Sequence, residues 1–192
     1  MNAQRHQHAL FTEAEYFYEE DLSPTKREFF RGEVFAMAGA TPKHVDITGN
    51  IHSSLRAQLR GKPCRARASD QRIRVEANSL ITYPDVAVVC PPFRFDETNK
   101  ITLLDATVIV EVLSPSTRQY DEGEKFNLLR ELSSLHHYLL IEPDEIRVEH
   151  RFRLDNGDWQ TEVFASLDDV VNLSAIACTL NVGAVYEEIE GI

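Results

Sequence analysis

Residues 83–90 read YPDVAVVC, and residues 107–125 read TVIVEVLSPSTRQYDEGEK. Each segment sets one carboxylate in an apolar run, Asp85 at the start of the first and Glu111 near the end of the second. Runs that are apolar on both faces belong in the middle of a covered sheet, so 83–90 and 107–113 are expected as core strands. An ionised carboxylate in such a place is costly unless a cation or dense hydrogen bonding accompanies it. Neighbouring strands lie about 4.8 Å apart, so Asp85 and Glu111 could share one hard cation. Mg2+ fits, because it takes one or two carboxylates and keeps several waters for substrate oxygens. Mn2+ has a similar preference for oxygen ligands.

Lys125 is the expected third member. Asp121, with Glu124 three residues on, is read as the cap of a helix running to about residue 132. Lys125 then falls in the first turn, where the helix dipole opposes a cation. It is spaced i, i+4, i+7 with Leu129 and Leu132, on or beside the core-facing stripe. A local rule broken without visible gain often marks a functional position. A lysine there could orient an attacking water or stabilise charge developing on a phosphate. Plainer readings stand beside these. Lys125 could run past the stripe to pair with Asp121 or Glu111, and Asp85 could simply accept backbone donors at a strand start. Glu111, set among Val108, Ile109, Val110, Val112 and Leu113, has no comparable plain account.

Outward from this stretch, Thr12 and Glu15 form a capping box, and residues 13–20 are expected as a short helix. Residues 27–38 (REFFRGEVFAMA) read as a strand pair turning at Arg31-Gly32. Residues 44–60 read as an amphipathic helix carrying Ile47, Ile51, Leu55 and Leu59, ended by Gly61. Residues 64–68 and 71–76 alternate by two, as strands do. Segment 91–104 is polar and expected to be exposed. Residues 136–142, 145–153 and 159–164 read as strands, with Asn156-Gly157 as a hairpin turn. This order gives a mixed α/β (α+β) protein, a central sheet flanked by helices. Residues 1–192 are expected as a single domain, with 1–22 a helical extension.

Composition narrows the function. No apolar run approaches the roughly 20 residues that span a bilayer, so no membrane partner is expected and the cytoplasm is the default. Cys64, Cys90 and Cys178 are far apart, with no CxxC pair, so neither a zinc knuckle nor a disulfide is expected. Cys90 reads as a buried thiol. His6, His8, His136 and His137 have no partner at metal-ligand spacing and read as surface or packing residues. Net charge is -11, which by itself argues against a polyanionic partner. The distribution reverses that argument, because Arg56, Arg60, Lys62, Arg65, Arg67, Arg72 and Arg74 fall close together with only Asp70 among them. The arginines of this segment are the candidate phosphate contacts to nucleic acid; the plain alternative is a solvated helix end and hairpin.

REFFRGEVFAMAGATPKH, YPDVAVVC, VIVEVLSPSTRQYDEGEKF and HHYLLIE together resemble the bacterial Uma2 family, also called DUF820. That family is placed in the PD-(D/E)XK nuclease-like superfamily. The resemblance covers roughly residues 10–165, and EVLSPST with the downstream Asp and Lys is its most specific part. It implies a restriction-endonuclease-like core, with Asp85 as the PD aspartate and Glu111 as the (D/E) position. Leu113 stands where the lysine of E-x-K is expected, and Lys125 on the following helix matches the position that takes over. Glu33 and His44 fall at positions that are often polar in such proteins and are further catalytic candidates. A homodimer is implied as well, since nucleases of this fold often pair to cut both strands.

The expected function is therefore a Mg2+-dependent endonuclease acting on DNA phosphodiester bonds. The alternative is a catalytically inactive module of the same fold that binds nucleic acid or a partner protein. A hydrolase of small phosphate esters is a third reading.

Overall fold

The computed structural model describes residues 10–37 and 39–192. His6, His8 and the start of the expected extension lie outside the described residues.

Alternating valines build the central sheet. Val86–Val89 (β6) pairs antiparallel with Val108–Val112 (β7), Val86 lying opposite Val110. Val86, Val88, Val108 and Val110 enter one core, and Ala87, Val89 and Ile109 enter the other. A strand buried on both faces has nowhere to place a polar side chain except in a second core. By the same alternation Glu111 faces the second core.

β6 is flanked on its other side by Arg65–Ala68 (β3). β7 pairs in parallel with His137–Ile141 (β8), followed by Val148–Arg153 (β9) and Trp159–Phe164 (β10). The sheet order is β10-β9-β8-β7-β6-β3, with β7–β8 parallel and the other pairings antiparallel. A parallel pair needs a crossover. Here it is a helical segment, residues 118–129 (α3).

The first core lies under the long helix Pro42–Gln58 (α2), whose Ile47, Ile51 and Leu55 are fully buried, and under the hairpin Val170–Leu173 (β11) and Cys178–Asn181 (β12). The second core lies under α3 and a smaller sheet. That sheet is ordered Glu33–Ala36 (β2), Arg27–Phe30 (β1), Leu80–Thr82 (β5), Ile73–Val75 (β4). Helix Glu13–Leu22 (α1) packs Tyr16 and Phe17 against Phe29 and Ile81 of the small sheet. Its Thr12 capping box forms as expected. Among the described residues, no helix is long and apolar enough to cross a membrane.

Three expectations change. Cys64 and Cys90 are bonded to each other, so Cys90 is not a thiol. They flank the rung Arg65–Val89 of the β3–β6 ladder and so face each other, which their separation of 26 residues conceals. Segment 91–104 is not wholly exposed, because Asp96, Asn99 and Leu103 are buried and Asp96 accepts from Arg74 at 2.7 Å. Asp121 does not cap its helix. The helix begins three residues earlier, and residues Asp121–Lys125 form a π turn.

A histidine pair ties the C-terminal hairpin to the sheet. The Ala175 backbone N–H donates to His137 Nε2 at 3.2 Å, which makes His137 Nδ1 the donor to His150 Nε2 at 2.9 Å. His150 Nδ1 is then a buried donor with no partner. Burial holds both rings neutral, lowering His137 to about 3 and His150 to about 4. The unfolded chain therefore binds these protons first as pH falls, and stability present above about 6.5 is lost toward pH 3–4. Urea unfolding is expected to show a loss of about 3–5 kcal/mol between pH 6.5 and pH 4 from this pair. His150→Phe should flatten that slope; an unchanged slope would show that the pair does not control acid stability.

Candidate active site

The site forms where the second core meets the small sheet. Glu111 projects from β7 and is 4% exposed. Opposite it, the π turn in α3 sets Asp121 and Lys125 inward together. Such turns reset the helical phase locally and recur at functional sites. Lys125, 3% exposed, lies 2.9 Å from Glu111 Oε1, 3.0 Å from Glu28 Oε1 and 3.5 Å from Asp121 Oδ1. Glu28 comes from β1 and is fixed by the hydroxyl of Thr82 on β5, which donates to it. The Tyr138 hydroxyl donates to the backbone carbonyl of Asp121 at 2.9 Å and braces the π turn.

Three carboxylates thus surround one ammonium in a nearly closed space. The electrostatics follow from that count. Burial pushes Glu111 well above the usual carboxylate range; Lys125 pulls the other way, while Asp121 and Asp85 add to the rise. Asp121 is raised too, by burial first, against Lys125. Burial alone would lower Lys125, but Glu111, Glu28 and Asp121 together hold its amine well above its ordinary value. The lysine is therefore firmly charged while the acids compete for it. The cluster carries surplus negative charge that a proton or a cation would relieve.

Asp85 lies just before β6, half-buried. Its Oδ2 accepts the Val112 N–H at 2.7 Å, and its Oδ1 lies 2.9 Å from His44 Nε2. His44 is placed by its helix start, since Thr41 caps α2 by accepting from the His44 N–H. Asp85 therefore does satisfy a backbone donor, as its plainer reading has it. Each carboxylate oxygen still has a second lone pair.

The donor set fits a divalent cation. All candidate ligands are hard oxygens, the cluster has surplus negative charge, and Glu111 Oε1 is buried without a well-directed hydrogen bond. No group of three His, Cys, Asp or Glu stands at metal-ligand spacing among the described residues. A Mg2+ that keeps most of its waters needs only one or two carboxylates. Asp85 and Glu111 are the residues that could supply them.

The other candidates divide. Leu113 packs in the second core, and the amine expected two residues after Glu111 arrives instead from α3. Glu33 is exposed at the β1–β2 turn and is not drawn into the cluster. The acid from this hairpin is Glu28, which the sequence reading passed over. Its signal is REFF: alternation sets Glu28 and Phe30 on one face, and a charge sharing a face with an aromatic is unusual there. The six arginines do not form one surface. Arg72 is buried, donating to Tyr83 Oη at 2.7 Å and to Asp21 at 2.9 Å, and Arg74 is held by Asp96 and Glu13. Both are spent on docking α1 and the 91–104 segment. Arg56, Arg60 and Arg65 remain exposed and Arg67 half-buried.

A family model, Uma2, described as "Putative restriction endonuclease", matches residues 14–183. The chain belongs to the Uma2 family. Two relatives in Synechocystis sp. are similar along most of their length. The uncharacterized protein slr1290 is 32% identical over 172 residues, covering 90% of this chain and 89% of the relative. The uncharacterized protein sll1609 is 31% identical over 150 residues, covering 78% and 85%. Among solved structures, a "putative nuclease belonging to DUF820" from Anabaena variabilis superposes with a TM-score of 0.73. It is 20% identical, covering 92% of this chain and 98% of that one. The restriction-endonuclease-like core of Uma2 proteins is thus the architecture here, as the sequence resemblance implies.

Proposed function

We propose that this protein is a divalent-metal-dependent endonuclease that hydrolyses DNA phosphodiester bonds at the Asp85–Glu111–Lys125 centre. The observation that carries this reading is the lysine itself: a buried ammonium within 3.0 Å of two carboxylates on two different sheets. Membership in the Uma2 family supports a nuclease class.

A bound Mg2+ or Mn2+ would supply Lewis-acid stabilisation of phosphate charge and a more acidic water. Asp85 and Glu111 would hold it. Lys125 would donate to a phosphoryl oxygen as negative charge grows there, an interaction stronger in the transition state than in the ground state. Glu28 positions the Lys125 amine and is itself positioned by Thr82. His44 orients Asp85 through its Nε2 contact. Burial keeps competing water from the ammonium, which strengthens its field.

The reading of an inactive module has one observation in its favour, since both oxygens of Asp85 already have partners. Cleavage separates the two. The protein with Mg2+ or Mn2+ is expected to nick supercoiled plasmid, and Asp85→Asn to slow nicking by about 10²–10³-fold. Titration calorimetry with Mn2+ should show binding to the parent and weaker binding to Asp85→Asn. A parent that never cuts, or a variant that cuts equally well, would leave the inactive module as the better account.

A further inference from the structure

The C-terminal end of α2 and the start of β3 flank an open surface pocket of about 410 Å3. Ser53, Arg56, Arg60 and Arg65 line it, and no carboxylate does. In a chain of net charge -11 that is unusual company. Elsewhere the arginines are mostly ion-paired, Arg72 with Asp21 and Arg118 with Glu142 for example, whereas these three have no carboxylate within ion-pair reach among the described residues.

The placement is built rather than incidental. Ser53 and Arg56, spaced i, i+3, share one face of α2 apart from the buried Ile47, Ile51 and Leu55, and Arg60 follows in the turn just past the helix end. Arg65 Nη1 donates to the carbonyls of Lys62, Pro63 and Cys64, which fixes its guanidinium. Its other two nitrogens make no bond among the described residues. The negative end of one helix dipole, about half an elementary charge, does not balance three guanidinium groups. An anion with several oxygens does, and guanidinium forks match phosphate geometry.

Position narrows the anion. From His44 to Arg56, α2 advances about 18 Å. From Asp85 to Val89, the partner of Arg65, β6 advances about 13 Å. DNA rises 3.4 Å per base pair, so either path corresponds to about four or five base pairs. We propose that the Arg56–Arg60–Arg65 pocket binds a backbone phosphate of duplex DNA four or five base pairs from the bond cut at Asp85 and Glu111. The proposal rests on the nuclease reading above, and its test is chosen to fail separately from it.

The test is DNA binding without metal, by fluorescence anisotropy of a labelled 16-base-pair duplex across a salt series. Arg56→Gln/Arg60→Gln is expected to weaken binding about tenfold or more and to reduce the slope of log K against log salt by about 0.9, the equivalent of one phosphate contact. Adding Arg65→Gln should weaken binding further while the slope stays within that one contact. Arg31→Gln/Arg130→Gln, at two exposed arginines outside the pocket, should leave the slope unchanged. If the parent binds and the pocket variants match it in affinity and slope, the pocket assignment is wrong and the nuclease reading stands. If the exposed pair lowers the slope equally, binding is diffuse and the pocket again fails. If the parent binds no DNA at any salt, the pocket proposal fails, and nicking of plasmid with Mg2+ or Mn2+ decides the nuclease reading on its own.

Discussion

Lys125→Met is expected to unfold about 3–5 kcal/mol more easily than the parent at neutral pH. It should also lose plasmid nicking by at least about 10³-fold. Met nearly preserves the volume of the side chain, so little of the loss would come from packing. What goes is the one ammonium among Glu28, Glu111 and Asp121, and the acids left behind have no water to turn to. Removing one partner of a buried ion network is costly because it strands the others. The pH dependence identifies the cause. Stranded carboxylates have folded-state pKa values raised above those of the unfolded chain. The unfolded chain then holds fewer protons, and stability falls as pH rises between the two values. The deficit should therefore shrink as pH is lowered toward 5, opposite in direction to the histidine effect in the parent. Urea unfolding at pH 5 and pH 8 checks this; a deficit equal at both would mean that lost packing, not lost charge, is responsible.

Glu111→Gln should separate stability from activity. Burial and its acidic neighbours already push Glu111 toward its protonated form, and glutamine imitates that form without the proton. The variant is expected to be more stable than the parent by on the order of 1 kcal/mol at pH 8, since it no longer has to bury a charge or bind a proton there. Lys125 keeps Glu28 at 3.0 Å and Asp121 at 3.5 Å, so its own burial stays compensated. Nicking should nonetheless fall by at least about 10²–10³-fold, because an amide is a poor metal ligand and cannot neutralise the lysine. A gain in midpoint with a loss of cleavage is the signature of a strained functional group. Lower stability together with retained cleavage would place Glu111 in the scaffold instead.

The residues differ in how far sequence alone could place them. β6, β7 and α2 are legible because hydrophobic periodicity is a local signal, and each element shows it strongly. Glu111 is legible for the same reason, as a charge inside such a signal. Lys125 is legible as a cation on the core-facing stripe, although its conflict with the helix dipole dissolves, because the helix begins at Arg118 and Lys125 lies beyond its first turn. Glu28 is not, because its importance comes from an amine half the chain away. Glu33, a candidate through the family resemblance, lies instead at the exposed turn of the same hairpin. The π turn at 121–125 is set by what surrounds it, including Tyr138, so the capping pattern at Asp121 and Glu124 misleads. Arg72 and Arg74 look like phosphate contacts until the partners that claim them, Asp21, Glu13 and Asp96, are brought near by folding. The Cys64–Cys90 bond likewise depends on strand pairing that spacing does not reveal.

The centre draws Glu28 and Thr82 from one sheet, Glu111 from another and Lys125 from a crossover helix between parallel strands. Loop closure on that scale comes late in folding, because distant contacts cost chain entropy before they return any stabilisation. A chain growing from its N-terminus carries Asp85 and Glu111 well before it carries Lys125 and the strand that seats α3. No length short of residue 125 brings the ammonium to its acids. On the nuclease reading proposed above, the cluster is in this sense a checkpoint on completeness: a nascent or locally opened molecule would lack the lysine among its acids and would leave DNA uncut.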